Sequence, residues 1–134
     1  MTQAVRKQVL VLDDSPIVLE LVGEALEAAG MDFLAAPDLA AFEEALKRQP
    51  DLLVIDVNMP EAYGDDVGAV LRDVRGVKVP ILLFSSLPES QLAVRAAEGR
   101  FDGYVSKDAG IAALVQRARE LLEEGPAQVR ALKR

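Results

Sequence analysis

Leu52-Leu53-Val54-Ile55-Asp56-Val57-Asn58-Met59-Pro60, closed four residues later by Gly64, is the stretch from which the fold can be read. Four consecutive apolar residues, two of them β-branched, predict a strand buried on both faces, as in the middle of a parallel sheet covered by helices. Asp56 ends that strand. A lone carboxylate is costly to bury, so its place is the open carboxyl edge of the sheet, where ligands of α/β folds sit. Pro60 and Gly64 then stop the chain from continuing as strand or helix.

Working outward, the same pattern recurs. Val9-Leu10-Val11-Leu12 is a second continuous apolar run and also ends in acid, at Asp13-Asp14. Ser15-Pro16 is a good cap and first-turn pair. Ile17, Val18, Leu21, Val22, Ala25, Leu26 and Ala29 follow at helical spacing, and Gly30 supplies the stop. Met31 to Ala36 predicts a second strand. Asp38 caps a second helix to about Arg48, with Leu39, Phe42, Ala45 and Leu46 inward, and Pro50-Asp51 turns into the central strand. Past Gly64, Asp65 and Asp66 favour a helix start; Val67, Val70, Leu71 and Val74 make its stripe and Gly76 ends it. Pro80 opens Ile81-Leu82-Leu83-Phe84, which ends in hydroxyls at Ser85-Ser86. A helix from Pro88 to about Glu98 carries Leu92, Val94, Ala96 and Ala97 on an ill-defined face. Gly103-Tyr104-Val105-Ser106 is a short fifth strand ending at Lys107, and Ile111, Leu114, Val115, Ala118, Leu121 and Leu122 mark a last helix, broken by Gly125-Pro126. Five alternations of strand and helix predict a doubly wound α/β fold: a five-stranded parallel sheet, (βα)5, with helices on both faces and right-handed crossovers.

The 134 residues fit one domain over 1–124, with 125–134 as a short tail or the start of a linker. Fifteen Lys and Arg against 22 Asp and Glu give a net charge of −7, which repels a phosphate backbone and argues against direct nucleic-acid binding. There is no Cys and no His. Disulfides, thiolate metal sites, imidazole catalysis and phosphohistidine within the chain are thereby excluded, and any metal must be a hard ion held by oxygen. No apolar run approaches a membrane span and the N-terminus has no signal core, so a soluble cytoplasmic protein is expected, without membrane insertion.

Chemistry collects at the strand ends: Asp13 and Asp14 after the first, Asp56 after the third, Ser85 after the fourth, Lys107 after the fifth. Parallel strands end at one edge, so these residues converge although they lie up to 94 positions apart, from 13 to 107. Three crowded carboxylates repel one another unless a cation sits among them, and Mg²⁺ suits an all-oxygen site that keeps waters and takes a substrate phosphate. Lys107 is a mobile point charge for a phosphoryl oxygen, and the Ser85 hydroxyl can donate to another. Asp56 is the candidate nucleophile toward phosphorus.

This arrangement resembles the receiver domain of two-component response regulators, of the flavodoxin/CheY-like fold and similar to the single-domain chemotaxis type. The resemblance covers about residues 7 to 124. It rests on Asp13-Asp14 after strand one, Asp56-x-Asn58-Met59-Pro60 with Gly64 beyond, Ser85 after strand four, and Tyr104-x-x-Lys107 on strand five. It implies that Asp56 accepts a phosphoryl group from a sensor histidine kinase or histidine phosphotransfer protein. It further implies that Asp14, Asp56 and the Asn58 backbone carbonyl hold Mg²⁺ with Asp13 assisting, and that Ser85 and Tyr104 form the switch. The output face would be that of the fourth helix, fifth strand and fifth helix, read by a downstream target, with the protein a monomer or a phosphorylation-dependent dimer. Such a domain is not an enzyme in the ordinary sense; it catalyses its own phosphoryl transfer and slow dephosphorylation. Two departures stand out: Asp108 occupies the place of a proline usually joined by a cis peptide, and Gly99 to Gly103 reads as one residue longer than the usual link. A non-proline cis bond costs about 3–4 kcal/mol, so a trans bond is expected after Lys107.

Taken singly, each residue has a plainer reading. Asp13 and Asp14 could cap a helix, Asp56 could end a strand, Lys107 could be a solvated lysine, Ser85 could be structural, and Tyr104 could be a core-edge residue. Their coincidence at matching strand ends favours the site. A haloacid-dehalogenase-like phosphatase would want an acid two residues after the nucleophile, where Asn58 stands, and a flavin module would want a phosphate loop that Asp13-Asp14-Ser15-Pro16 cannot make. A phosphate-independent interaction domain of the same fold remains the alternative.

Overall fold

In the three inner strands neighbouring residues serve two different cores, which is why their apolar runs are continuous. The computed structural model describes residues 6–56, 71–72 and 75–124. In chain order these form β1 (Gln8–Leu12), α1 (Pro16–Ala28), β2 (Asp32–Ala36), α2 (Leu39–Leu46), β3 (Leu52–Ile55), β4 (Ile81–Ser85), α3 (Glu89–Glu98), β5 (Gly103–Ser106), a 3-10 turn at Lys107–Ala109, and α4 (Ile111–Glu124). The expected residues Asn58, Met59, Pro60, Gly64, Asp65, Asp66, Val67, Val70, Val74, Gly125 and Pro126 lie outside the described residues.

Among the described residues the five strands make one parallel sheet in the order β2-β1-β3-β4-β5. The chain runs outward from β1 to β2 and then returns to the other side of β1 to lay down β3. That reversal opens a crevice between the carboxyl ends of β1 and β3. On one face Val9, Val11, Leu52, Val54, Leu82, Phe84 and Val105 pack under α1 and α4, whose Leu19, Val22, Leu26, Leu114, Ala118 and Leu121 are buried. Their strand neighbours Leu10, Leu12, Leu53, Ile55, Ile81 and Leu83 turn to the other face, against Phe42 of α2 and Leu92 and Ala96 of α3. Each such leucine or isoleucine contributes about 1.5–3 kcal/mol by leaving water.

The helix ends follow the expected chemistry. Ser15 Oγ accepts from Val18 N at 3.3 Å with Pro16 in the first turn, and Asp38 Oδ1 accepts from Ala41 N at 2.8 Å. Gly30 stops α1 at φ +91°. The final carbonyls of α1 and the turn after it are met by arginines: Arg6 Nη2 donates to Glu27 O and Met31 O, and Arg119 Nη2 to Ala29 O.

The structure refines the sequence reading of three helices. In α1 the inward face is Leu19, Val22, Gly23 and Leu26, while Ile17 is 69% and Leu21 48% exposed. The reason is a close approach: a Cβ on Gly23 would stand 2.5 Å from the Phe33 ring, so the glycine lets α1 settle onto β2 and turns Ile17 and Leu21 outward. In α3, Leu92 and Ala96 face the core and Val94 is 53% exposed, which resolves its ambiguous stripe. Helix α2 ends at Leu46, two residues before the expected Arg48.

At the amino edge a buried ion pair joins β4 to β5. Arg72 Nη2 meets Asp102 Oδ2 at 2.5 Å, Arg72 Nη1 donates to Val77 O at 3.0 Å and Val79 O at 2.6 Å, and Ile81 N donates to the same Asp102 oxygen at 2.7 Å.

Candidate functional site

The ladder hydrogen bonds run one residue past the strands at the opposite, carboxyl edge. Asp13 N donates to Ala36 O at 3.1 Å and Asp56 N to Leu12 O at 3.0 Å, so both acidic residues are held as firmly as strand residues, flanking the β1/β3 crevice. Ser85 closes β4 and pairs in register with Ser106, the last residue of β5. Lys107 follows at once and reaches back across the sheet.

Asp13, Asp56 and Ser85 are buried polar residues, at 1%, 5% and 0% exposure. All three belong to this edge. Lys107 Nζ stands 2.7 Å from Asp13 Oδ2 and 3.1 Å from Asp56 Oδ2, and 5.8 Å from the centroid of the buried Phe84 ring. Burial by itself would lower the pKa of Lys107; the hydrogen bond to Asp13 and the charges of Asp56 and Asp13 outweigh it and hold the pKa above the ordinary 10.5. The ammonium is therefore fully charged at neutral pH. Asp13 has both oxygens engaged, since Oδ1 accepts from Ser15 N at 2.9 Å. Asp14 is exposed at the mouth, and oxygens of Asp13, Asp14 and Asp56 all lie within 4.8 Å of one another. Three carboxylates against one ammonium leave a surplus of negative charge, and an all-oxygen set of this kind could hold a hard divalent ion.

The segment after β5 departs from what an unbroken loop would give. The Lys107–Asp108 peptide is trans. Ser106 Oγ accepts from Asp108 N at 3.1 Å, Gly110 N donates to Lys107 O at 3.2 Å, and Gly110 takes φ +95°. Lys107 thus reaches both carboxylates from a 3-10 turn. Sequence reading missed this turn, although a serine ahead of a polar stretch closed by Gly110 has the composition of a capped turn. Ser85 Oγ accepts from Leu87 N at 3.4 Å, and Leu87, half-buried, packs against the core under α3. Tyr104, beside Leu83 in the register, is 37% exposed rather than turned into the sheet. The structure therefore brings together Asp13, Asp14, Asp56 and Lys107, sets Ser85 at the adjacent strand end, and leaves Tyr104 outside; Asn58 is not among the described residues.

A parallel sheet in the order 2-1-3-4-5 with an acidic crevice at its reversal point defines a doubly wound α/β fold of the flavodoxin/CheY-like class. Residues 9–119 match the response regulator receiver domain family, and the chain belongs to it. It is 38% identical over 116 residues to the probable transcriptional regulatory protein TcrX of Mycobacterium tuberculosis, covering 85% of this chain and 49% of that protein. It is 32% identical over 117 residues to the DNA-binding dual master transcriptional regulator RpaA of Synechocystis, covering 86% and 48%. The chain thus spans about half the length of the curated relatives it matches. The chemotaxis response regulator CheY4 of Vibrio cholerae superposes with a TM-score of 0.74 over 87% of this chain and 99% of that one; at 23% identity this likeness speaks to the fold alone. No helix among the described residues is long and apolar enough to cross a membrane.

Proposed function

We propose that the domain is a phosphorylation-switched signalling module that accepts a phosphoryl group on Asp56 from the phosphohistidine of a sensor histidine kinase or histidine phosphotransfer protein. One observation carries the reading: the buried side chains of Asp13, Asp56 and Ser85 meet at the carboxyl edge, where one lysine ammonium bridges the two carboxylates and Asp14 adds a third. A structural role would not require that surplus of negative charge.

An Asp56 carboxylate oxygen attacks phosphorus, the P–N bond of the donor breaks, and its electron pair leaves with the imidazole nitrogen, which takes up a proton. The product is an acyl phosphate carrying more charge than the carboxylate it replaces. Lys107, already within 3.1 Å of Asp56, then pairs with a phosphoryl oxygen, and Ser85 donates its hydroxyl to another. Asp14, Asp56 and the Asn58 backbone carbonyl would hold Mg²⁺, with Asp13 assisting; Asp13 suits an assisting place because Ser15 N and Lys107 already occupy its oxygens. When bound, Mg²⁺ neutralises the charge that three carboxylates and one ammonium leave over. Movement of Ser85 toward the phosphoryl group would draw on its contact with Leu87 N and so on the β4–α3 loop, and Tyr104 then moves inward. The face made by α3, β5 and α4 changes accordingly and is read by a target protein. In the relatives named as transcriptional regulators the matching segment is about half of a longer chain.

The test is the intact mass after incubation with phosphoramidate or acetyl phosphate, with and without Mg²⁺. A Mg²⁺-dependent gain of one phosphoryl group, absent in Asp56→Asn, is the expected result. Failure of wild type to bind beryllofluoride with Mg²⁺, together with no mass gain, would leave a phosphate-independent interaction domain instead.

A further inference from the structure

We propose that Ser106 is a positioning residue for Lys107, holding by a hydrogen bond the turn that aims the ammonium at Asp56; this rests on the phosphoacceptor reading above. Lys107 has to cross β4 to meet Asp56, and where its long side chain arrives depends on the direction of its backbone. That backbone is fastened on both sides. Ahead of it, Ser106 at φ −72° and ψ 138° caps the 3-10 turn by accepting from Asp108 N at 3.1 Å. Behind it, Gly110 N returns to Lys107 O at 3.2 Å, and Leu114 N donates to Gly110 O, tying the turn to the start of α4.

A proline at 108 would have no N–H to give. With Asp108 there, the N–H exists and Ser106 takes it up, so a serine and a trans peptide fix the lysine in this chain. Ser106 also neighbours Ser85 in the β4–β5 register, which puts the fastening point beside the strand end that the chemistry uses. Without the hydroxyl the Asp108 N–H has only water to bind, the turn opens, and Lys107 spends less of its time across Asp56.

Two measurements test this on Ser106→Ala, Ser106→Thr and Lys107→Ala. The first is the initial rate of phosphoryl uptake from phosphoramidate with Mg²⁺. The second, on metal-free protein, is the Cε resonance of Lys107, one of five lysines and identified by its loss in Lys107→Ala. Ser106→Ala should slow uptake about threefold to tenfold, the effect of one modest hydrogen bond, and shift the resonance toward those of exposed lysines. Ser106→Thr should restore both. On the Lys107→Ala background, Ser106→Ala should cost nothing further, because the serine acts only through the lysine. A wild-type rate and resonance in Ser106→Ala would overturn the inference, as would losses that multiply on the Lys107→Ala background. If wild type itself takes up no phosphoryl group, the phosphoacceptor reading falls, and the metal-free resonance still decides whether Ser106 holds Lys107.

Discussion

The two edges of the sheet each contain a buried ionic cluster, and the clusters are built on opposite plans. At the amino edge the Arg72 guanidinium meets the Asp102 carboxylate, Arg72 also donates to Val77 O and Val79 O, and Asp102 also accepts from Ile81 N. Charge is balanced. At the carboxyl edge, among the described residues, one ammonium faces Asp13 and Asp56, with Asp14 at the rim, so negative charge is in excess there. A cluster that only holds strands together gains by neutrality and saturation, since every buried unpaired charge is a cost. A cluster left in excess is completed by something from outside. The contrast separates an architectural ion pair from a candidate site without appeal to any relative.

The largest expected effect breaks the amino edge. Arg72→Met takes the guanidinium away from the Asp102 carboxylate, whose side chain is 5% exposed, and should cost about 3–5 kcal/mol of stability in denaturant unfolding. Adding Asp102→Asn should recover most of that loss, because the cost is an uncompensated charge rather than lost packing. Phosphoryl uptake by the folded fraction should stay at the wild-type rate. Removing a charge from the carboxyl edge should act the other way round. Asp14→Ala should weaken Mg²⁺ binding, read by calorimetry, about tenfold or more, while the metal-free unfolding midpoint stays put or rises as repulsion is relieved. If Asp14→Ala destabilised the metal-free protein as Arg72→Met does, the contrast between the edges would not hold.

What the sequence discloses divides along the same line. The inner strands were legible because a strand buried on both faces must be apolar at nearly every position, and the site was legible because Asp13, Asp56 and Ser85 interrupt that rule at matching ends, with Lys107 at the end of the neighbouring edge strand. The pair of Arg72 with Asp102 was not legible: the partners are 30 positions apart, and each alone reads as a solvated charge. Nor was the facing of α1, which depends on Gly23 meeting Phe33 of the neighbouring strand, a contact that helical periodicity cannot contain. The 3-10 turn at Lys107 went unseen because the residue that would have announced a backbone constraint, a proline, is replaced by Asp108, and the constraint passed to the Ser106 hydroxyl.

The smallest expected effect concerns backbone strain. Among the described residues, the non-glycine residues with positive φ are Gln49 at 56° and Arg100 at 60°, both in turns that lead back to the amino edge; at the carboxyl edge the conformation falls to Gly110. Strained residues often collect at functional sites, so their location tests the division just drawn. A left-handed conformation costs an L-residue about 1–2 kcal/mol, and glycine gives back part of the gain through the greater freedom of its unfolded chain. Gln49→Gly should therefore raise stability by about 0.5–1 kcal/mol, seen as a higher denaturant midpoint at unchanged slope. Phosphoryl uptake and Mg²⁺ affinity should be those of wild type, since Gln49 is exposed and remote from Asp56. A gain in stability accompanied by altered uptake would mean that strain at the amino edge is felt at the other, and the two edges would have to be treated as one coupled system.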